Sequence, residues 1–513
     1  MISELPTLIQ ALLEPHRYPG DVERVELVQT HISWVLLVGA FAYKIKKPVA
    51  LPFLDFSTLA LRKKYCEDEL RLNRRFSPSI YLDVVGIFNT PHDPQFEGDG
   101  QAIEYAVKMQ RFDDDVLLDR VCSSGELHAG HMSDLAATLT VFHASAERAA
   151  SGSRYGSPAQ VIAPMHDSLR DLMVRLPHGG APQRLLALQT WTEGQFEQLA
   201  PLLQARQQAG WVRECHGDLH LANLVLIDKH VQMFDCIEFS EDLRWIDVAS
   251  EIAFTYIDLI AHAQPGLANW FINEVWERTG DYDAARVLRL YAVYRALVRA
   301  KVTAIRMQQT RLGQAETMAY VALAEQLALL RPLRLVITHG LSGCGKTTAS
   351  SALLQSDTHA RTVRVRSDTE RKRLLGLAGT ARSDSGTGEG IYTTGAGART
   401  YRRLFELAEM LLGAGWSVIV DATFLKRADR ELFRALAQRA GAEFSILAPE
   451  ATAEQLRVRI LERQVQGQDA SEATLDVLAR QLRVIEPLTP QECALLRNRD
   501  TALSMGSLSG APD

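Results

Sequence analysis

Between Arg334 and Gln355 the chain reads RLVITHGLSGCGKTTASSALLQ. An apolar, β-branched run passes into a glycine-rich turn and then into a helical run of small residues and leucine. Gly340, Gly345, Lys346 and Thr347 fit the pattern GxxxxGK[ST] in the strand–loop–helix setting it requires. Few features constrain a fold as tightly. Three further short apolar runs follow, RTVRVRSD, WSVIVDAT and EFSILAP, with helical stretches between them. Strand alternating with helix predicts a parallel sheet with crossovers, an α/β domain over residues 333–500. The domain boundary is expected near Arg331–Pro332. The small, polar end of the chain, 501–513, is expected to be disordered.

Such a turn lets backbone N–H groups point at phosphate oxygens, and the helix N-terminus adds positive potential. The candidate nucleotide-binding residues are Gly340, Ser342, Gly343, Cys344, Gly345, Lys346, Thr347 and Thr348. Lys346 is placed to reach the outer phosphates and Thr347 to offer a hydroxyl to Mg²⁺, with Cys344 as a small filler. Asp368 is read at the end of a strand. There it can take a proton from an acceptor hydroxyl, or instead cap the helix TERKRLL. Asp421 ends the strand SVIVD, suited to Mg²⁺ or water. Arg457, Arg459 and Arg463 lie on one helix and can close over phosphates, although Arg457 and Arg459 read better as a solvated face. The basic run Arg361, Arg364, Arg366, Arg371, Lys372 and Arg373 can hold a phosphorylated or nucleic-acid acceptor. More often such a run, interleaved here with Asp368 and Glu370, is a solvated face.

These stretches, with GIYTTGAGARTYRRL and LERQVQGQDASEA, make this half resemble the small P-loop kinases of the zeta-toxin, gluconate-kinase and polynucleotide-kinase type. That resemblance implies Asp368 as base and Arg463 as a lid arginine.

A second pattern stands more than a hundred residues upstream. In HGDLHLANLVLID, His216, Asp218, Leu219 and Asn223 keep the spacing of a phosphoryl-transfer loop, H-R-D-L-x-x-x-N, with Gly217 in place of Arg. One loop can then present Asp218 to an acceptor and Asn223 to a metal. VQMFDCIEF supplies a metal carboxylate, Asp235, after a hairpin turning near Lys229–His230, with Glu238 as an extra acid nearby. His220 orients the loop, touches substrate, or is structural; His143, on an apolar helix face, reads as a core histidine. Residues 1–110 are strand-rich. VELVQTHISWVLLVGAFAYKIKKPV reads as a hairpin with one turn at Gly39, followed by the helix LALRKKYCEDELRLNRRF and the strands YLDVVGIFN and QAIEYAVKMQRF. Helical patterns dominate residues 111–330.

HGDxHxxN followed by a strand and Asp resembles the aminoglycoside phosphotransferase family and its choline-kinase-like relatives, over about 25–310. The resemblance implies a bilobal protein-kinase-like fold, with a strand-rich small lobe at 1–110 and a helical large lobe at 111–330. It implies a phosphate-gripping lysine on a small-lobe strand, Lys44 in preference to Lys46, paired with a helix carboxylate, Glu69 in preference to Glu67. Lys46 and Lys47 are otherwise expected to be exposed. No GxGxxG loop is present; THISW occupies that turn, and DCIEF replaces the DFG-like triplet. The whole chain resembles bacterial fusions described as phosphotransferase-family ATP-binding proteins.

Composition fits this multi-domain α+β and α/β reading. A chain of 513 residues, 47% hydrophobic and 23% charged, is long enough for roughly two or three domains. A net charge of −6 and a pI near 6.2 argue against nucleic-acid coating, so a nucleic-acid partner is not favoured. No apolar run reaches the roughly 18–20 residues of a membrane span, and the N-terminus lacks the basic start of a secretion signal. The six cysteines are scattered without a CxxC pair, the pattern of reduced thiols. The expectation is a cytoplasmic phosphotransferase with two nucleotide sites. It would use ATP or GTP with Mg²⁺ and act on small-molecule hydroxyl acceptors. Alternatively, one module senses nucleotide for the other, or the C-terminal domain is a polynucleotide 5′-hydroxyl kinase. Neither the acceptor nor the oligomeric state is legible.

Overall fold

The computed structural model describes residues 5–51, 54–310, 313–377, 379, 394–466 and 473–497. The tail at 501–513 and the Arg463 side chain lie outside the described residues, as do 390–393 of the GIYTTGAG stretch. Two compact units are present, Met1–Asp167 with Gly194–Asp258, and Ser168–Glu193 with Leu259–Asp513.

The first unit opens with an antiparallel sheet. Its order is Val25–Gln29, Ser33–Val38, Phe41–Lys46, Glu104–Gln110, Tyr81–Thr90 and Asp93–Gln95. The stretch expected to be one hairpin is a three-stranded meander. The extra turn arises at Thr30, whose hydroxyl accepts the N–H groups of Ser33 at 2.9 Å and Ile32 at 3.3 Å. A side chain that mimics a turn's backbone bond breaks a strand without any glycine. One sheet face carries Trp34, Leu36, Tyr43 and Ile45 into a core with Ile9, Leu12 and Tyr18. The other face meets the Leu59–Asn73 helix, capped by Thr58, whose hydroxyl accepts the Leu61 N–H at 3.2 Å. That helix buries Cys66, Glu69, Leu72 and Asn73, so its inward stripe contains an acid.

Further along, Leu224–Ile227 pairs with His230–Met233 through a two-residue turn. Asp228 and Lys229 both take positive φ, 50° and 67°, the left-handed turn whose twist suits a tight hairpin. Val212–Glu214 pairs with Trp245–Asp247, and the Val248–Ala261 helix follows directly.

The second unit holds a four-stranded sheet ordered Thr362–Arg366, Ser417–Asp421, Arg334–Thr338, Glu443–Leu447, with every pair parallel. Ser417–Asp421 is buried throughout, which is why it reads as a continuous apolar run rather than an alternating one. The Pro265–Thr279 helix lies along the outer side of Thr362–Arg366. Asn269 Oδ1 accepts the Thr362 N–H at 3.1 Å, and Asn273 Oδ1 accepts the Arg364 N–H at 2.7 Å. Asn273 Nδ2 donates to the Thr362 carbonyl at 2.9 Å. One turn on, Glu277 Oε1 accepts from Arg366 at 2.8 Å and from the Thr369 hydroxyl at 3.0 Å.

The basic run is therefore not a solvated face. Arg361 and Arg364 are buried, and Arg361 donates to the Leu329 carbonyl at 2.7 Å to finish the Gln314–Ala328 helix. Among the described residues no helix is long and apolar enough to cross a membrane.

Candidate active sites

The first site draws on three elements of the first unit. Lys44 and Lys46 are two residues apart on a strand and so share a face. Lys44 Nζ donates to Glu69 Oε1 at 2.8 Å and also to Asp235. Lys46, expected to be exposed, is 1% exposed, and donates to Glu69 Oε2 at 2.7 Å and to Glu238. The shared face is the reason: whatever buries one lysine buries the other. Glu67 is exposed and lies 3.8 Å from Lys63. Burial pushes the Glu69 carboxyl up, but Lys44 and Lys46 outweigh it and hold the group at about 2.

The loop beside this cluster is fastened from both sides. Burial pushes the His216 ring below its ordinary value. Its Nε2 donates to the Phe234 carbonyl at 2.7 Å, and its Nδ1 accepts the Asp218 N–H at 3.3 Å. Asn223 Nδ2 donates to the Asp218 carbonyl at 2.9 Å and to its carboxylate at 3.2 Å. His220 Nε2 lies 3.5 Å from the same carboxylate. Asp235 takes a φ of 61°, and its N–H donates to the Tyr81 hydroxyl at 2.9 Å. Below, Glu251 accepts the N–H of His216 at 2.7 Å and of Gly217 at 2.8 Å. Gly217 sits at φ 89°, where a Cβ would come 2.8 Å from the Leu243 carbonyl. A glycine is required there, which accounts for the missing Arg of the pattern.

Glu251 and Tyr81 escaped the sequence reading. An acid inside the apolar run VASEIAF was the available signal for the first; Tyr81 offered none. A His143 ring nitrogen, Cys215 Sγ and a Glu251 oxygen all lie within 4.8 Å of one another. Both Glu251 oxygens are already engaged by loop N–H groups, so the carboxylate acts as the loop's anchor. Side-chain oxygens such as those of Asp235 and Asn223 suit Mg²⁺, a hard cation, and Lys44 beside Asp235 suits a phosphate. The THISW turn contributes less than a glycine-rich loop would, because the Thr30 hydroxyl takes up two of its N–H groups.

In the second unit Ser342, Gly343, Gly345, Lys346, Thr347 and Thr348 line one cavity, which Asp368 and Asp421 also border. Gly340 and Cys344 line a neighbouring hollow, and Cys344 packs against Leu456, Ile460 and Leu478. Gly345 stands at φ 95° immediately before the Lys346–Gln355 helix, turning the chain so that the helix N-terminus faces the cavity. Lys346 Nζ is folded back onto the carbonyls of Gly340 at 3.0 Å and Leu341 at 2.7 Å. The Ser342 N–H is met by Gln481 Oε1 at 2.8 Å, an oxygen standing where a phosphate oxygen can stand. Asp421 accepts from the Ser350 hydroxyl at 3.1 Å, one helical turn beyond Thr347. Hydroxyl and carboxylate oxygens again suit Mg²⁺.

One expectation changes here. The strand ends at Arg366, and Asp368 lies in the first turn of the Ser367–Arg373 helix, where its carboxylate accepts from Arg371 at 3.0 Å. Asp368 and Glu370 put negative charge in the helix's first turn, at the positive end of its dipole. Arg459 is exposed, as a solvated face requires, and its guanidinium also donates to the Gly343 carbonyl at 3.3 Å.

Residues 335–488 match the AAA domain family model. This AAA-domain segment contains the loop, Asp368, Asp421 and all four parallel strands. The chain is 27% identical, over 461 residues and 90% of each chain, to an uncharacterised protein of Mycobacterium tuberculosis. Among solved structures it is similar to choline kinase from Cryptosporidium parvum Iowa II, with 13% identity and a TM-score of 0.40, covering 63% of this chain and 96% of that one. It is also similar to a putative kinase from Chloroflexus aurantiacus, with 25% identity and a TM-score of 0.25, covering 31% of this chain and 84% of that one. The family match and the all-parallel sheet together place a P-loop domain in the C-terminal part of the chain.

Proposed function

We propose that the chain is a kinase with two nucleotide sites, each using Mg·ATP or Mg·GTP and each transferring to a small-molecule hydroxyl. The observation that carries this reading is the pairing of Lys44 with both Glu69 and Asp235, beside a loop on which Asn223 holds Asp218. Mg·ATP, when bound, supplies the transferable phosphoryl group. Lys44 holds its phosphates, and Asn223 and Asp235 hold the metal. Asp218 accepts the proton of the acceptor hydroxyl as that oxygen attacks. In the second unit Lys346 and the loop N–H groups hold phosphates. Thr347 and Asp421 hold the metal there, Asp368 is the base, and Arg463 is a lid arginine.

Lys346→Ala is expected to halve the nucleotide bound per chain at saturation, by equilibrium dialysis with labelled ATP. An unchanged stoichiometry would overturn the two-site reading. A second reading makes the first unit a nucleotide sensor without turnover. The Thr30 turn favours it, because it leaves fewer N–H groups to grip phosphates. Turnover that survives Lys346→Ala and vanishes on adding Asp218→Asn would eliminate the sensor.

A further inference from the structure

Glu69 lies between two lysines, its Oε1 2.8 Å from Lys44 Nζ and its Oε2 2.7 Å from Lys46 Nζ. Each lysine has a second carboxylate, Asp235 for Lys44 and Glu238 for Lys46. The series Asp235–Lys44–Glu69–Lys46–Glu238 has an acid at each end and one in the middle. Its two ends differ. The Asp235 side chain is 44% exposed, whereas Lys46 is 1% and Glu238 4% exposed. The Lys46 ammonium also stands 4.8 Å from the centre of the Phe56 ring. One end therefore opens to solvent and the other is sealed.

The nucleotide reading of the first site asks Lys44 to turn toward phosphates. A buried carboxylate left without its cation is strongly destabilised, so a lone lysine–glutamate pair resists that turn. Here Glu69 has a second cation that does not face the site. We infer that Lys46 is a resident counter-ion for Glu69, which releases Lys44 to be shared with the nucleotide. This role rests on the reading of the first unit as a nucleotide site. Lys46 is thus a positioning residue that acts through Lys44. Glu238 competes with Glu69 for the Lys46 charge, which gives the two residues opposite effects. A simple bolt between strand and loop would make their effects alike.

The test measures Mg·ATP affinity by displacement of a fluorescent ATP analogue. It uses the full chain carrying Lys346→Ala, so that only the first site reports. Lys46→Met is expected to weaken binding about tenfold or more, and Lys46→Arg, which keeps the charge, to restore most of it. Glu238→Gln is expected to tighten binding about threefold, because Lys46 then serves Glu69 alone. Weakening by Glu238→Gln to match Lys46→Met overturns the inference in favour of a bolt. An unchanged affinity in Glu238→Gln also overturns it, and this variant decides the matter even if Lys46→Met does not fold. Absence of Mg·ATP binding before any change at Lys46 overturns the nucleotide reading, and the inference falls with it.

Discussion

Asp218→Asn, in the chain carrying Lys346→Ala, is expected to lower phosphoryl transfer by about 10²–10⁴-fold while nucleotide affinity changes little. The side chain keeps its size, and an amide oxygen can still accept from Asn223 Nδ2, which now sits 3.2 Å from the carboxylate. What disappears is an acceptor basic enough to take the hydroxyl proton in the transition state. The proposed function gives Asp218 that work. Its backbone is held by His216 and Asn223, so the loop does not depend on the carboxylate for its shape. A pool of small metabolites with labelled ATP supplies the acceptor. Product formation at the parent rate in Asp218→Asn would remove this residue from the chemistry.

Glu251→Gln is expected to cost about 2–5 kcal/mol of stability and to slow transfer as well. The carboxylate accepts the N–H groups of His216 and Gly217, and it is fully buried. A glutamine has one acceptor oxygen, so its amide nitrogen would face a second N–H donor. Burial raises the Glu251 carboxyl, but the His143 ring 3.7 Å away and the loop N–H groups outweigh it and hold the group at about 2, against an ordinary 4.5. A depressed carboxyl stabilises the fold fully above the unfolded value, and that contribution is lost as pH falls through the folded one. Between pH 4.5 and 2 the parent should therefore lose stability that Glu251→Gln has already lost. Denaturant unfolding at pH 7 and at low pH tests this; parallel stability–pH curves for the two chains would sink it.

Much of the architecture was legible because its signals are local. A parallel sheet announces itself through continuous apolar strands, and Ser417–Asp421 is such a strand. Asp368 misled because an acid after an apolar run reads equally as a strand end or as a helix start; hydrogen bonding decided for the helix. Lys44 and Lys46 stayed ambiguous because residues on the same strand face share their surroundings, and the structure sets both on Glu69. Glu251 was hidden because its partners are backbone N–H groups, which every sequence has. The buried arginines misled for a related reason. Arg361 answers to helix carbonyls, and the Arg364 guanidinium to the Ser351 hydroxyl and the acid of Glu277, none of them its neighbours in sequence.

The Pro265–Thr279 helix does for the parallel sheet what a fifth strand would do. With amides one turn apart, Asn269 and Asn273 occupy successive outward N–H groups of Thr362–Arg366. A polypeptide beginning at Leu333 would keep the phosphate loop and all four strands yet present a bare sheet edge, the kind of surface that recruits another chain. Such a fragment should self-associate on size-exclusion chromatography, and one beginning at Leu259 should remain a single species. The AAA-domain segment borrows its finished border from residues that precede it, and cutting at the boundary expected from the strand–helix pattern would bare that edge of the sheet.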